Sequence, residues 1–246
     1  MNKDDFKEAR KSIYILAITI VFVLLFYVIA SMFTSVGYKR FRASTADTLI
    51  DFSTPRTFII DAGHGGEDPG AVVNTTHEKD INLSVAFKLK DIFGAFGYKC
   101  VLTRDEDKLI YKIGEEKQKK YYDLRNRAEF ANKFSDGVFV SIHMNKFPLE
   151  SCKGLQTFYS NSNSDSKRLA DLIQQESKIL QTYNNRTTKQ GNNDIYLLEN
   201  IKIPAVLIEC GFMSNPEELS RLTNDEYQTA LAFSIFYAIA EFNGDI

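Results

Sequence analysis

Four residues in this chain have the types and positions that metal-assisted hydrolysis requires. Among 246 residues there are three histidines, His64, His77 and His143. His64 follows the apolar run Phe58-Ile59-Ile60 in a glycine-lined turn, Gly63-His64-Gly65-Gly66. His143 follows Val138-Phe139-Val140-Ser141-Ile142, and Glu209 follows Val206-Leu207-Ile208. Glu78 lies in the segment leading from the first turn into the next helical pattern, from where it can fold back beside His64. Two imidazoles and a carboxylate with an open fourth position make a catalytic zinc set, and a further carboxylate is then free to act as a base.

Each residue also has a plainer reading. His64 could serve only to shape a turn and His143 only to cap a strand. Glu78 could serve the N-terminal dipole of a helix, and His77, its neighbour, is a rival ligand. Glu209 is harder to explain away. A carboxylate at the end of an apolar strand is costly to bury unless a cation or hydrogen bonds meet it.

Other chemistries find little support. There is no GxSxG turn for a nucleophilic serine and no HExxH helix. The three cysteines, Cys100, Cys152 and Cys210, form no CxxC pair. Cys100 and Cys210 fall inside predicted strands and read as small core residues. Cys152 falls in a loop and the sequence assigns it no role. The formal net charge of −2 gives no basic footprint for nucleic acid.

The elements that must position these residues alternate. Strands are predicted at Phe58–Ile60, Tyr98–Thr103, Gly137–Ile142, Gly154–Tyr159, Ile195–Leu198 and Ala205–Cys210. Helices are predicted at Asp80–Phe96, Asp123–Phe134, Ser164–Leu180, from Asn215-Pro216-Glu217-Glu218, and at Asp225–Phe242. Arg104–Lys120 reads as a charged, solvated loop and 183–194 as a polar, mobile stretch. This order implies an α/β fold with a mostly parallel central sheet of about six strands and helices on both faces. In such sheets sites gather at the carboxyl ends of strands, which is where His64, His143 and Glu209 fall.

Ahead of that domain, residues 13–33 carry no charge. At ~1.5 Å per residue they would span about 31 Å, the thickness of a bilayer core. The expected layout is a cytoplasmic tail (1–12), a transmembrane anchor or uncleaved signal (13–33), a linker (34–55) and a catalytic domain (56–246). Ser35-Val36-Gly37 offers a rival cleavage site. Basic residues before the span lean towards an inside N-terminus and an extracytoplasmic domain, in the cell wall or the forespore intermembrane space.

Six ordered blocks carry a resemblance: IIDAGHGGEDPGA (59–71), EKDINL (78–83), LTRDED (102–107), LRNRAEFAN (124–132), FVSIHMN (139–145) and PAVLIECGFMSNPEE (204–218). Together they resemble the zinc-dependent N-acetylmuramoyl-L-alanine amidases of the amidase_3 family, over roughly residues 56–243. The stretch before Leu124 and NRTTKQGNNDIYLLEN (185–200) look most like the spore-cortex branch. The resemblance implies one Zn2+ per chain held by His64, Glu78 and His143, with Glu209 as catalytic glutamate. The EKD context favours Glu78 over His77. Arg127 matches a family arginine and reads as a structural ion pair. Asn145 reads equally as an orienter of His143 or a substrate contact. The implied reaction is hydrolysis of the amide between N-acetylmuramic acid and L-alanine in peptidoglycan, as the first step toward muramic-δ-lactam in spore cortex. The resemblance further implies a lipoprotein activator of the GerS type, and 184–194 and Tyr111–Tyr122 are candidate contact segments. Two rivals stand beside it: another zinc cell-wall peptidase, and a wall-binding or regulatory module without activity.

Overall fold

The computed structural model describes residues 56–192 and 194–246. The predicted tail, membrane span, cleavage site and linker lie outside them. Among the described residues no helix is long and apolar enough to cross a membrane.

The elements run β1 (Thr57–Ala62), β2 (Val72–Val73), β3 (Thr76–His77), α1 (Glu78–Ala95), β4 (Lys99–Leu102), α2 (Lys119–Ala131), β5 (Gly137–Asn145), β6 (Gln156–Tyr159), α3 (Asp165–Leu180), β7 (Lys189–Gln190), α4 (Tyr196–Asn200), β8 (Ala205–Phe212), α5 (Pro216–Leu222) and α6 (Asp225–Asn243). Six strands form one sheet in the order β4-β1-β5-β8-β6-β7, beside a small β2-β3 hairpin. The four strands β4, β1, β5 and β8 are parallel, and β6 turns antiparallel against β8. The fold is therefore α/β with a mixed, mostly parallel sheet.

Side chains alternate across the strands, and the two faces have separate cores. Phe58, Ile60, Val138, Val140, Val206 and Ile208 pack beneath α1, α3 and α6. Ile59, Phe139, Ala205 and Leu207 pack beneath α2 and α4. Strands buried on both faces read as continuous apolar runs, which is why β1, β5 and β8 stood out in the sequence.

The second face changes character along the strands. Its apolar rows, Ile59 and Phe139, give way two residues on to Asp61 and Ser141, and two further on to Gly63 and His143; on β8 Glu209 follows Leu207 in the same way. The register pairs Asp61 with Ser141 and His143 with Glu209.

Three expectations need correction. Ile195–Leu198 is not a strand. Helix α4 begins at Tyr196, and the edge strand β7 forms instead at Lys189–Gln190, inside the stretch read as polar and mobile. A four-residue apolar run has no periodicity to separate helix from strand, and here adjacent Leu197 and Leu198 are both buried. Arg104–Lys120 is not wholly a solvated loop: Arg104 is 2% exposed, and a 3-10 turn at Glu116–Gln118 leads into α2 four residues earlier than expected. Glu78 is the first residue of α1 rather than part of a preceding loop.

Candidate metal centre

Strand β1 delivers the first component. The chain leaves it through Gly63 into a turn where His64 holds a left-handed backbone (φ 62), a conformation few non-glycine residues adopt. The turn is closed by paired Gly65 and Asp68 backbone bonds, N to O in both directions at 3.0 Å. His64 Nδ1 lies 2.8 Å from Asp68 Oδ2, which fixes the ring so that Nε2 faces inward. Lys120, at the start of α2, pairs with the same Asp68 carboxylate.

The hairpin β2-β3 brings the chain back so that α1 starts at Glu78, a buried residue. Glu78 Oε1 lies 3.2 Å from His64 Nε2 and 2.9 Å from His143 Nδ1. The same carboxylate accepts from the Met144 amide (3.0 Å), the Ala71 amide (2.7 Å) and the Asn82 amide group (3.3 Å). Burial would raise its pKa. The two imidazoles outweigh that and hold it far below the usual carboxylate range. Burial likewise opposes a charge on His64, but Asp68 and Glu78 win and raise it to about 9.

Two glycines make room for this packing. A Cβ on Gly63 would come within 2.2 Å of His143 Nε2, because the ring lies flat against the glycine. Gly70 combines a positive φ (65) with the same crowding, since its Cβ would sit 2.4 Å from Glu78 Oε2.

One donor atom each from His64, Glu78 and His143 lies within 4.8 Å of the others. The fourth residue, Glu209, stands across from His143 in register. Its Oε2 is buried with no hydrogen-bond partner, and burial pushes its pKa up to about 7 against the opposing pull of His143. A buried carboxylate oxygen left unpaired beside a cluster of two imidazoles and an acid is what a divalent cation with its water would complete. The donor set of nitrogen and oxygen, with one position open, fits zinc.

Under the cluster lies a fully buried polar layer. Arg127 is bound to Asp61 (2.7 Å) and Asp123 (3.0 Å), and donates to the carbonyls of Ala62 and His64, each at 2.8 Å. Asp61 also accepts from Ser141 and Thr103, both at 2.6 Å. Arg104 donates to the carbonyls of Ala62 (2.8 Å), Gly63 (3.1 Å) and Lys79 (2.8 Å). These two guanidiniums tie the His64 turn to the start of α1. The ion-pair reading of Arg127 matches this geometry.

Other sequence candidates fall elsewhere. His77 stands 3.5 Å from Asp80 and takes no place in the cluster. Asn145 makes no side-chain hydrogen bond to His143 among the described residues; its carbonyl accepts from Met213 N at 2.7 Å. Cys210 is buried and Cys100 half-buried, and burial pushes the Cys100 thiol up to about 12. Sequence reasoning missed Asp61, Asp68 and Arg104. No local pattern marked them: each takes its meaning from a partner distant in sequence or from a turn closed only in the fold.

Comparison with known proteins gives a consistent picture. The family model described as N-acetylmuramoyl-L-alanine amidase matches residues 58–241. The germination-specific N-acetylmuramoyl-L-alanine amidase of Bacillus subtilis (strain 168) is 33% identical over 209 residues, covering 82% of this chain and 87% of that one. The CwlD amidase of Clostridioides difficile, solved in complex with the GerS lipoprotein, superposes with a TM-score of 0.73 at 42% identity, covering 77% of this chain and 98% of the other. The catalytic domain of CwlV from Bacillus (Paenibacillus) polymyxa var. colistinus gives a TM-score of 0.67 at 29% identity, covering 78% and 99%.

Proposed function

The chain belongs to the N-acetylmuramoyl-L-alanine amidase family, and from that premise we propose that His64, Glu78 and His143 hold one zinc ion and that Glu209 is the base that makes the site hydrolytic. The substrate class is peptidoglycan, and the bond is the amide between N-acetylmuramic acid and L-alanine. The observation that carries this reading is the convergence of three ligand atoms within 4.8 Å beside the unpaired Oε2 of Glu209.

Bound zinc would supply a Lewis acid for the scissile carbonyl and bring the pKa of a water from 15.7 toward ~7. The protein's own residues do the rest. Glu209 accepts a proton from the attacking water and returns it to the leaving amine, so one carboxylate serves both steps. Asp68 keeps the His64 ring in the tautomer that presents Nε2. The Met144 and Ala71 amides hold the Glu78 carboxylate in place, and the buried Arg127 and Arg104 fix the backbone on which His64 rides.

The similarity to a germination-specific amidase and to CwlD supports a narrower assignment to spore cortex. There the reaction would strip peptides from muramic acid as the first step toward muramic-δ-lactam. The neighbour solved with GerS supports a lipoprotein activator of that type. The 21 uncharged residues at 13–33 support a membrane anchor with the catalytic domain outside the cytoplasm.

The test pairs two variants. Glu209→Gln is expected to keep about one zinc per chain and to lose at least ~100-fold in peptide release. His143→Ala is expected to lose zinc itself. Wild-type turnover by Glu209→Gln, or full zinc in His143→Ala, would overturn the assignment.

A further inference from the structure

The far end of the domain carries an uncharged aromatic surface that the reaction does not use. The last turn of α1 and the residues after it read Ile92-Phe93-Gly94-Ala95-Phe96-Gly97-Tyr98, with no charge between Asp91 and Lys99. Helix α6 has no charged residue between Glu226 and Glu241. Phe233 and Tyr237 sit one turn apart on its outer side. Phe96, Phe233 and Tyr237 are 60%, 48% and 43% exposed. Phe96 joins the two helices: its ring lies 6.5 Å from Phe233 and 4.7 Å from the buried Phe236. Large aromatics exposed together where the end of α1 meets the middle of α6 mark a contact surface more than a solvated one.

The path of the chain says what lies nearby. Thr57, the first residue of β1, pairs in register with Lys99, three residues beyond Phe96. Arg56 donates to Asn243 at the end of α6 (3.2 Å), and its guanidinium lies 5.7 Å from the Phe242 ring. Tyr98 donates to Asp245, just past α6 (2.7 Å). The chain thus enters the domain at the corner where the aromatic surface begins. Before that point come the 22 residues 34–55, and before those the uncharged run 13–33.

We propose that Phe96, Phe233 and Tyr237 rest in the headgroup region of the bilayer that residues 13–33 enter, so that the domain lies on the membrane by this face. The proposal rests on the membrane-anchor reading above. Aromatic side chains with adjoining small residues suit the bilayer interface. Three such side chains would bind weakly alone. Joined through only 22 residues to the run at 13–33, the surface would be held at high effective concentration. The orientation also suits the site. Helix α1 runs from Glu78 to Ala95, which sets the aromatic end about 26 Å from the metal cluster. Docking by this face leaves the cluster turned away from the membrane, towards the wall.

The chain contains no tryptophan, so a single introduced indole reports its own surroundings. Full-length Phe233→Trp and, separately, Tyr237→Trp would be reconstituted in phosphatidylcholine vesicles with and without lipids brominated high on the acyl chain. Ile113→Trp, at a fully exposed position elsewhere, is the control. Flotation with the vesicles reads the anchor independently. The expected result is flotation of all three proteins, with blue-shifted emission quenched by brominated lipid only for the two surface variants. Flotation with red, unquenched emission from both would overturn the docking while leaving the anchor intact. Blue-shifted but unquenched emission would mean that a second copy, or the chain's own preceding residues, covers the face, and would overturn it too. Failure to float would overturn anchor and docking together.

Discussion

At the scale of the residue, the buried charges under the cluster set the clearest expectations. Arg127 holds Asp61 and Asp123, and all three are within 1% of full burial. Replacing it with methionine leaves two acids unpaired, at a cost of roughly 3–5 kcal/mol. For a domain of this size that is a fall in Tm of roughly 10 °C by calorimetry; an unchanged Tm would refute the structural role. Asp61 gives a pH signature. Burial alone would raise its pKa, but Arg127, Ser141 and Thr103 outweigh burial and hold it at about 2, below the ordinary 3.8 of an aspartate. A carboxylate lowered on folding adds stability that is full above about pH 4 and lost as pH falls towards 2, here on the order of 2 kcal/mol. Stability measured from pH 5 to pH 2 should therefore fall more steeply in wild type than in Asp61→Asn. Asp68 acts through His64. Asp68→Ala should weaken zinc affinity 10–100-fold with little change in the Tm of metal-free protein, and unchanged affinity would remove it from the site. His64, His143 and Glu209 were legible in the sequence because each is a polar residue that ends or follows an apolar run, and Glu78 because it opens the EKD segment that leads into the helical pattern. Asp61 was not singled out, since a lone acid inside such a run shows its meaning only once Arg127, far along the chain, is seen to reach it.

At the scale of the element, the site depends on how strand ends meet helix starts. The residue that follows β1 must lack a side chain, because the His143 ring from β5 lies against Gly63. Gly63→Ala is accordingly expected to displace that ring and abolish stoichiometric zinc binding while circular dichroism still shows the α/β fold. Normal zinc content in that variant would contradict the packing described. The long periodic elements were readable: α1, α3, α6 and the three central strands lie where apolar spacing put them. The failures were short. α4 and the former strand at 195–198 differ only in how Leu197 and Leu198 face a core that no local pattern reveals. Arg104 was hidden by its setting among charged, exposed neighbours, although its own guanidinium is spent on the carbonyls of Ala62, Gly63 and Lys79.

At the scale of the whole molecule, one end of the sheet gathers His64, Glu78, His143 and Glu209, while β1 begins at the other, beside Lys99. Fold class and sheet character were legible because predicted strands and helices alternate, and the family because six motif blocks in fixed order span the domain. The antiparallel turn of β6 and the edge strand β7 were not, because short edge strands carry little apolar signal. The central claim is that this domain is a metal-dependent amidase with Glu209 as its base, and its products test it most directly. Peptidoglycan would be digested with the zinc-loaded protein, with and without an added lipoprotein of the GerS type, and the fragments identified by mass spectrometry beside a Glu209→Gln digest. The account predicts free peptides beginning with L-alanine, lost in the variant. Fragments that keep L-alanine on muramic acid, or the same peptides released by Glu209→Gln, would contradict it.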